Sequence, residues 1–423
     1  MTDTATGERS ADRTRTLVGT GAGNALEWYD WGIYAVFAPF FAQQFFNAAD
    51  PFSAILATLA VFAVGFLARP VGAWLFGAIA DRRGRRTAMT LSVGGGAVGS
   101  LAIGLAPTYA AVGAGASLVL VVARLGQGLA HGGEMPSAQT YLSEMAPAHR
   151  RGLWASLMYF SGTLGTIAGT GIGAVLTMLL SEPEMNSWGW RIPFVLGGVL
   201  GFYALVMRRR MVETEVFRAA RGAREPMWPA IVRHRRQALQ VIGMTVGLTV
   251  SYYAWAVSAP QYAISARGVD PTGALWAGVL ANLVFIAVLP LWGALADRIG
   301  RKPVMLISAA GLALVVFPLD AFIGSSAFRL FLSMSAAMVL IAASAAIVPA
   351  LFCELFPTRI RTVGVGVPYS IAVAAFGGTA PYLQTWIGQS VGAAWFTGYI
   401  AVLLLVSTLI ITTLPETRGR AFD

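Results

Sequence analysis

Long apolar stretches separated by short polar turns run through the whole chain, and their lengths predict twelve membrane-crossing helices. They cover roughly residues 17–46, 53–80, 88–106, 115–143, 153–180, 191–207, 238–265, 273–296, 304–323, 328–355, 363–388 and 395–413. At about 1.5 Å per residue, about 20 helical residues cross a hydrocarbon layer of about 30 Å. The stretches are rich in Ala, Gly and Leu and do not alternate, unlike the strands of about ten residues in an outer-membrane barrel. Six predicted spans lie on each side of a polar connector that mixes Arg and Glu with Pro226 and Pro229. The expected organisation is a cytoplasmic N-terminal segment (1–16), a first six-helix bundle (17–207), a cytoplasmic linker (208–237), a second bundle (238–413) and a cytoplasmic tail (414–423). The fold class is an all-α membrane protein.

The two halves repeat each other. GAIADRRGRR at Gly77 to Arg86 returns as GALADRIGRK at Gly293 to Lys302. Ser143-Glu144-Met145-Ala146-Pro147 with Arg150 and Arg151 corresponds to Cys353-Glu354-Leu355-Phe356-Pro357 with Arg359 and Arg361. Met211-Val212-Glu213-Thr214 corresponds to Leu414-Pro415-Glu416-Thr417. Three motifs recurring in one order imply a duplication, two parallel repeats of six helices around a site near the membrane midplane.

Composition agrees with a bilayer environment. Hydrophobic residues make up 56% of the 423 positions and charged residues only 12%, against about 25% in an ordinary globular chain. The net charge of +10 does not point to nucleic acid, because Arg and Lys collect in alternate turns and at both ends. By the positive-inside rule both termini and the central linker face the cytoplasm. Met1 to Thr16 shows no cleavable signal pattern. Cys353 is the sole cysteine and the three histidines, His131, His149 and His234, are dispersed, so neither a disulfide framework nor a metal site is expected. The glycine runs at Gly94 to Gly96 and Gly162 to Gly173 lack the Lys-Ser or Lys-Thr of a phosphate loop, and no nucleophile–base pair emerges. No cofactor and no enzyme activity are expected.

Ionisable residues inside the membrane are costly and mark function. Here they are lopsided: Glu27, Asp30, Arg69, Arg124, His131 and Glu134 all fall in the first four spans. Asn24, Glu27, Trp31 and Tyr34 share one helical face with Asp30 at its edge, and Arg124, Gln127, His131 and Glu134 repeat the same spacing. Both faces are expected to look into one water-filled cavity. Glu27, Glu134 and Arg69 come to similar depth, while Asp30 and Arg124 lie higher and about 8 Å apart along the membrane normal. Three carboxylates face two arginines, so one acid lacks a permanent cationic partner and is a candidate proton carrier. Asp30 with Arg124, and Glu134 with Arg69, are the expected pairs. His131, with an ordinary pKa of about 6.5, suits a proton relay. In the second half, Ser251, Trp255, Ser258 and Tyr262 share a face near Tyr252, Tyr253 and Gln261 and are expected to form an uncharged wall. Tyr159 joins them from the fifth span. Tyr369 and Tyr382 flank Gly377-Gly378-Thr379-Ala380-Pro381, which predicts a kink in the eleventh span.

The G-x-x-x-D-R-x-G-R-R turn at Gly77, Asp81, Arg82, Gly84, Arg85 and Arg86 resembles that of the major facilitator superfamily. Within it, GNALEWYD at Gly23 to Asp30, ARPVG at Ala68 to Gly72, RLGQGLAHGGE at Arg124 to Glu134 and WGWRIPF at Trp188 to Phe194 resemble the metabolite:proton symporter family. WLFGAIAD and FGGTAPY are similar to its α-ketoglutarate permease branch. The resemblance implies two pseudo-symmetric six-helix bundles and alternating access. It associates Arg124 and Gln127 with proton coupling. It implies a cytoplasmic latch in which Asp81, Arg82, Arg85 and Arg86, with Asp297, Arg298 and Arg301 in the second copy, meet Glu144, Arg151, Glu354 and Arg361. The resulting expectation is a monomeric symporter of the bacterial cytoplasmic membrane, importing a small organic anion such as α-ketoglutarate with protons. Arg124 and Arg69 would receive the carboxylate, and Glu27 and Asp30 would carry the coupling. Two alternatives are a proline- or betaine-type symporter and a membrane sensor or scaffold that moves nothing.

Overall fold

With no water in the hydrocarbon layer to bond free N–H and C=O groups, the apolar stretches close their hydrogen bonds internally as helices. The computed structural model describes residues 3–46, 50–83, 85–132, 134–208, 229, 232–357 and 360–420. Within these, the side chains of 3–20, 77, 78, 80–83, 85, 86, 88, 89, 134, 137, 141, 207, 208 and 362 lie outside the description. The linker expected over 208–237 falls largely outside the described residues.

Eight helices among the described residues are long and apolar enough to cross a membrane, and Arg235–Val257 with Ala259–Arg267 makes a ninth, bent by 65°. One of the eight, Val363–Thr412, contains both the eleventh and twelfth predicted spans, and Thr90–Gly104 is a shorter apolar helix in the third. The first helix, Asp3–Phe45, carries Glu27 and Asp30. The chain has the twelve-helix fold. The first helix packs on the fifth, Arg151–Leu179, and the fifth in turn packs on the eighth, Pro271–Ile299, from the other half.

Several spans expected to be continuous are interrupted. The tenth is divided into Ala327–Ala345 and Val348–Leu355. Pro349 sits in the first turn of its second piece, where a missing N–H leaves no helical bond unmade. In the fourth, Ala114–His131 and Glu134–Met145 are described on either side of Gly133, which lies outside the described residues. The seventh span runs Arg235–Tyr252, widens into a π-turn at Tyr253–Val257, and resumes as Ala259–Arg267. Ser258, at this bend, donates to the Tyr253 carbonyl (2.9 Å) and to Gln384 Oε1 (2.6 Å). The eleventh span has the expected irregularity, with a π-turn at Val373–Gly377 before Ala380–Ile387.

The fifth and eighth helices touch backbone to backbone where the start of the fifth crosses the end of the eighth. A Cβ added at Gly293 would lie 2.7 Å from the Gly152 carbonyl oxygen, and one added at Gly152 would lie 2.7 Å from that of Gly293. Only small residues permit such an approach. Gly293→Ala is expected to cost about 1–3 kcal/mol through overpacking. It should lower the thermal unfolding midpoint of the purified protein; an unchanged midpoint would show that the crossing has slack.

Candidate functional site

Arg69 opens the helical segment Arg69–Arg83, immediately after Pro51–Leu67 ends at Ala68. Its Nη2 lies 3.3 Å from Glu27 Oε1 on the first helix. Both residues are buried, and the guanidinium also lies over the Trp31 ring (4.2 Å) and the Phe66 ring (4.3 Å). A buried ion pair is held only where geometry and further contacts offset desolvation, and the two rings supply those contacts.

Arg124 occupies a different environment. It is fully buried, with its guanidinium 4.0 Å from the centroid of Trp31, 4.2 Å from Tyr34 and 5.3 Å from Phe62. Its Nη1 donates to Gln127 Oε1 (2.9 Å), Gln127 Nε2 donates to Ser100 Oγ (2.8 Å), and Ser100 Oγ donates to Asp30 Oδ1 (2.8 Å). The other oxygen, Asp30 Oδ2, lies 3.9 Å from His131 Nε2. The expected direct pairing of Asp30 with Arg124 is therefore corrected. Gln127 and Ser100, the latter from the third helix, fill the gap between them. Among the described residues Arg124 meets no carboxylate, and Arg69 takes Glu27 as its partner. The Glu134 side chain lies outside the described residues, so its expected pairing with Arg69 is not seen.

A cavity with about 60 Å³ open to the centre of a water-sized sphere lies between the halves. Trp28, Trp31, Arg69, Tyr159 and Thr166 line it from the first half, and Thr245, Thr249, Tyr252, Tyr253, Ser344 and Tyr369 from the second. Trp28, Tyr159 and Tyr252 form a triangle of edge-to-face rings with centroids 5.1, 5.5 and 5.8 Å apart, drawn from the first, fifth and seventh helices. Of the predicted binding residues, Arg69, Tyr159, Tyr252 and Tyr369 reach the cavity, whereas Asn24, Tyr34, Arg124, Gln127, Trp255, Gln261 and Tyr382 do not line it. Asn24 instead donates to the Met158 carbonyl (2.7 Å) and Ser161 Oγ (2.9 Å), Tyr34 to the Thr58 carbonyl (3.1 Å), and Gln261 to Ser265 Oγ (3.1 Å). Trp255 is buried and Tyr382 half-buried. The predicted seventh-span wall of Ser251, Trp255, Ser258 and Tyr262 is not the face on the cavity. That face is Thr245, Thr249, Tyr252 and Tyr253, at offsets 0, 4, 7 and 8, a helical spacing present in the sequence but overlooked.

Around the start of the fifth helix and the end of the eighth, charged groups bind the halves together. Asp297 accepts the backbone N–H groups of Gly152 (2.9 Å) and Leu153 (3.0 Å), the positive end of the fifth helix. Arg301 donates to Asp297 (2.7 Å) and Glu354 (3.4 Å), Arg151 donates to Glu354 (3.1 Å), and Arg361 donates to Glu144 (2.8 Å). Arg298 is exposed. Gly84 and the side chains of Gly77, Asp81, Arg82, Arg85 and Arg86, the first copy of the turn, lie outside the described residues. Glu416, in the tail, accepts the backbone N–H groups of Arg301 (2.8 Å) and Lys302 (3.1 Å) at the start of the ninth helix. Burial pushes the Glu416 carboxyl up, but backbone N–H groups of Arg301, Arg418, Lys302 and Thr417 outweigh it and hold it below the ordinary glutamate range.

The model of the Major Facilitator Superfamily matches residues 20–273 and again 241–422. The chain belongs to this superfamily. It is 35% identical over 408 residues to the alpha-ketoglutarate permease of Escherichia coli (strain K12), covering 94% of each protein. It is 28% identical over 410 residues to the glycine betaine/proline/ectoine/pipecolic acid transporter OusA of Dickeya dadantii (strain 3937), covering 94% of this chain and 82% of that one. Among solved structures, a partially occluded inward-open conformation of the xylose transporter XylE from E. coli matches with a TM-score of 0.75 at 20% identity, over 96% of this chain and 98% of that one. The protein is a multi-pass membrane transporter of the major facilitator fold and not an enzyme.

Cys353, the transporter's sole cysteine, is buried beside this charged cluster, so its reactivity can be used to follow loss of these contacts. Glu354→Gln leaves Arg151 and Arg301 facing a neutral group, a loss on the order of 3–5 kcal/mol for a buried pair. It is expected to speed alkylation of Cys353 by a membrane-permeant maleimide several-fold. Because the Glu416 pKa is depressed, its contribution is complete above the ordinary glutamate pKa and is lost as pH falls through the lower folded value. Alkylation in wild type should therefore accelerate only on the acid side of that range.

Proposed function

We propose that the transporter imports a small organic anion, a dicarboxylate such as α-ketoglutarate or a related carboxylate, together with protons by alternating access. The observation that carries this reading is Arg69, a cavity-lining guanidinium whose resident counter-ion is Glu27. A substrate carboxylate and the Glu27 carboxylate compete for one cation. The substrate gains Arg69 only when Glu27 has taken a proton, so anion and proton load together. Returning empty, Glu27 loses its proton and restores the neutral pair, which lets an unoccupied carrier reorient without a bare buried charge. The hydroxyls of Thr249, Tyr252 and Tyr369 offer hydrogen-bond donors to the rest of the substrate, while that of Thr245, which donates to the Val241 carbonyl, can accept. The two repeats, with boundaries at 17–207 and 238–413, rock about the fifth and eighth helices, and the latch closes the cytoplasmic side. The protein works as a monomer in the bacterial cytoplasmic membrane, with both termini inside, as the distribution of Arg and Lys favours.

One observation favours a second reading. The ring triangle of Trp28, Tyr159 and Tyr252 suits a quaternary ammonium through cation–π contact, and OusA by name transports betaine and proline. Uptake of radiolabelled α-ketoglutarate, shikimate and glycine betaine into proteoliposomes, with and without an inward proton gradient, separates the two. The anion reading expects gradient-driven accumulation of a carboxylate and none of betaine; the reverse result selects the second reading. Arg69→Gln is expected to weaken carboxylate binding about 30-fold or more, the loss of one buried charge-assisted contact. Glu27→Gln should retain exchange of substrate across the membrane but lose accumulation driven by the gradient.

A further inference from the structure

Asp30 and its partners stand apart from the cavity: none of Asp30, Ser100, Gln127, Arg124 and His131 lines it. The direction of the hydrogen bonds around them carries information. Arg124 donates to Gln127, Gln127 to Ser100, and Ser100 to Asp30 Oδ1, so the single hydroxyl proton of Ser100 is committed to that oxygen. Oδ1 is thereby an acceptor, and a proton bound by the Asp30 carboxyl resides on Oδ2. Oδ2 faces His131 Nε2 at 3.9 Å, a gap closed by a small ring movement or by one bridging water. Glycines press on both groups: a Cβ at Gly96 would lie 2.9 Å from His131 Nε2, and one at Gly197 would lie 2.9 Å from Asp30 Oδ1. Titratable and charged groups near the pair include Tyr29 from the first helix, whose hydroxyl donates to the Pro193 carbonyl, and Arg124 from the fourth; the Glu134 side chain, three residues on from His131, lies outside the described residues. The third and sixth helices present Ser100, Gly96 and Gly197.

We propose that Asp30 and His131 form a second proton site, separate from the Glu27–Arg69 pair, whose charge state is transmitted to Arg124 through Ser100 and Gln127. In the transfer step, the Nε2–H bond of the His131 imidazolium breaks and an O–H bond forms at Asp30 Oδ2, leaving a neutral imidazole and a neutral carboxyl. Arg124 then loses its only counter-charge in the relay. Its Nε and Nη2 donate no hydrogen bond among the described residues. Its guanidinium and that of Arg69 both pack on the Trp31 ring. Loading this site therefore removes the counter-charge of Arg124 and strengthens its hold on Trp31, the side chain through which the change reaches Arg69. The inference rests on the reading of the transporter as a proton symporter.

Infrared difference spectroscopy of the reconstituted full-length protein, titrated from about pH 5 to pH 8 without substrate, tests the site directly. A band from a buried protonated carboxyl is expected in wild type and in Glu27→Gln, lost in Asp30→Asn, and shifted in midpoint in His131→Gln. Gly96→Ala, which leaves both titrating groups in place and crowds the imidazole, should shift the same midpoint, so the test survives poor folding of another variant. A band insensitive to Asp30→Asn, or a midpoint unmoved by both His131→Gln and Gly96→Ala, overturns the proposal. The failure of the symport reading is distinguishable: wild-type proteoliposomes would then show no gradient-driven uptake of α-ketoglutarate or glycine betaine, whatever the infrared titration gives.

Discussion

A guanidinium inside the hydrocarbon layer has to be held by something other than water, and the rest of the transport site is arranged around that constraint. Arg69 is held by Glu27 and by two aromatic faces. Arg124 is held by three rings and one amide oxygen. Both guanidiniums pack on Trp31, which makes this indole a contact common to the cavity arginine and the buried one. Each such contact contributes on the order of 0.5–2 kcal/mol when desolvated. That suffices to position a cation but leaves it responsive to a better partner. An arginine locked by a complete set of hydrogen bonds would bind no substrate.

The duplicated frame and the chemistry it carries follow different symmetries. The acidic-basic turns recur in both halves, and the seventh and eleventh helices, which are not counterparts in the repeat, both widen into π-turns. The ionisable groups obey no such correspondence: the second half gives the cavity hydroxyls and rings, and its charges go instead to the latch. Asp297 on the end of the fifth helix, Glu354 between Arg151 and Arg301, and Arg361 on Glu144 each cross from one half to the other. One repeat supplies the charged contents of the site, while both supply the charged contacts that join the halves.

Span number, the duplication and the depth of the charged residues were legible in the sequence, because each depends only on position along a helix. Glu27 and Arg69 were placed at one level by the rise per residue, and they do meet. Which carboxylate pairs with which arginine was not legible, since that depends on lateral placement of neighbouring helices. Ser100 shows this best: an ordinary serine in a glycine-rich apolar run, it completes the link between Asp30 and Arg124. Sharing a polar face also proved insufficient. Asn24 and Tyr34 lie on the Glu27 face, yet they bond to the fifth and second helices rather than to open space. A polar face shows only that lipid is avoided, and contact with another helix avoids it as well as a cavity does.

If the substrate carboxylate and the Glu27 carboxylate share Arg69, substrate binding has to depend on pH. Equilibrium binding of α-ketoglutarate to the purified transporter, measured across the titration of Glu27, should weaken in wild type by up to about tenfold per pH unit on the alkaline side. In Glu27→Gln, binding should be tight and flatter with pH. A pH slope that survives unchanged in Glu27→Gln would show that the proton and the anion do not compete through Arg69.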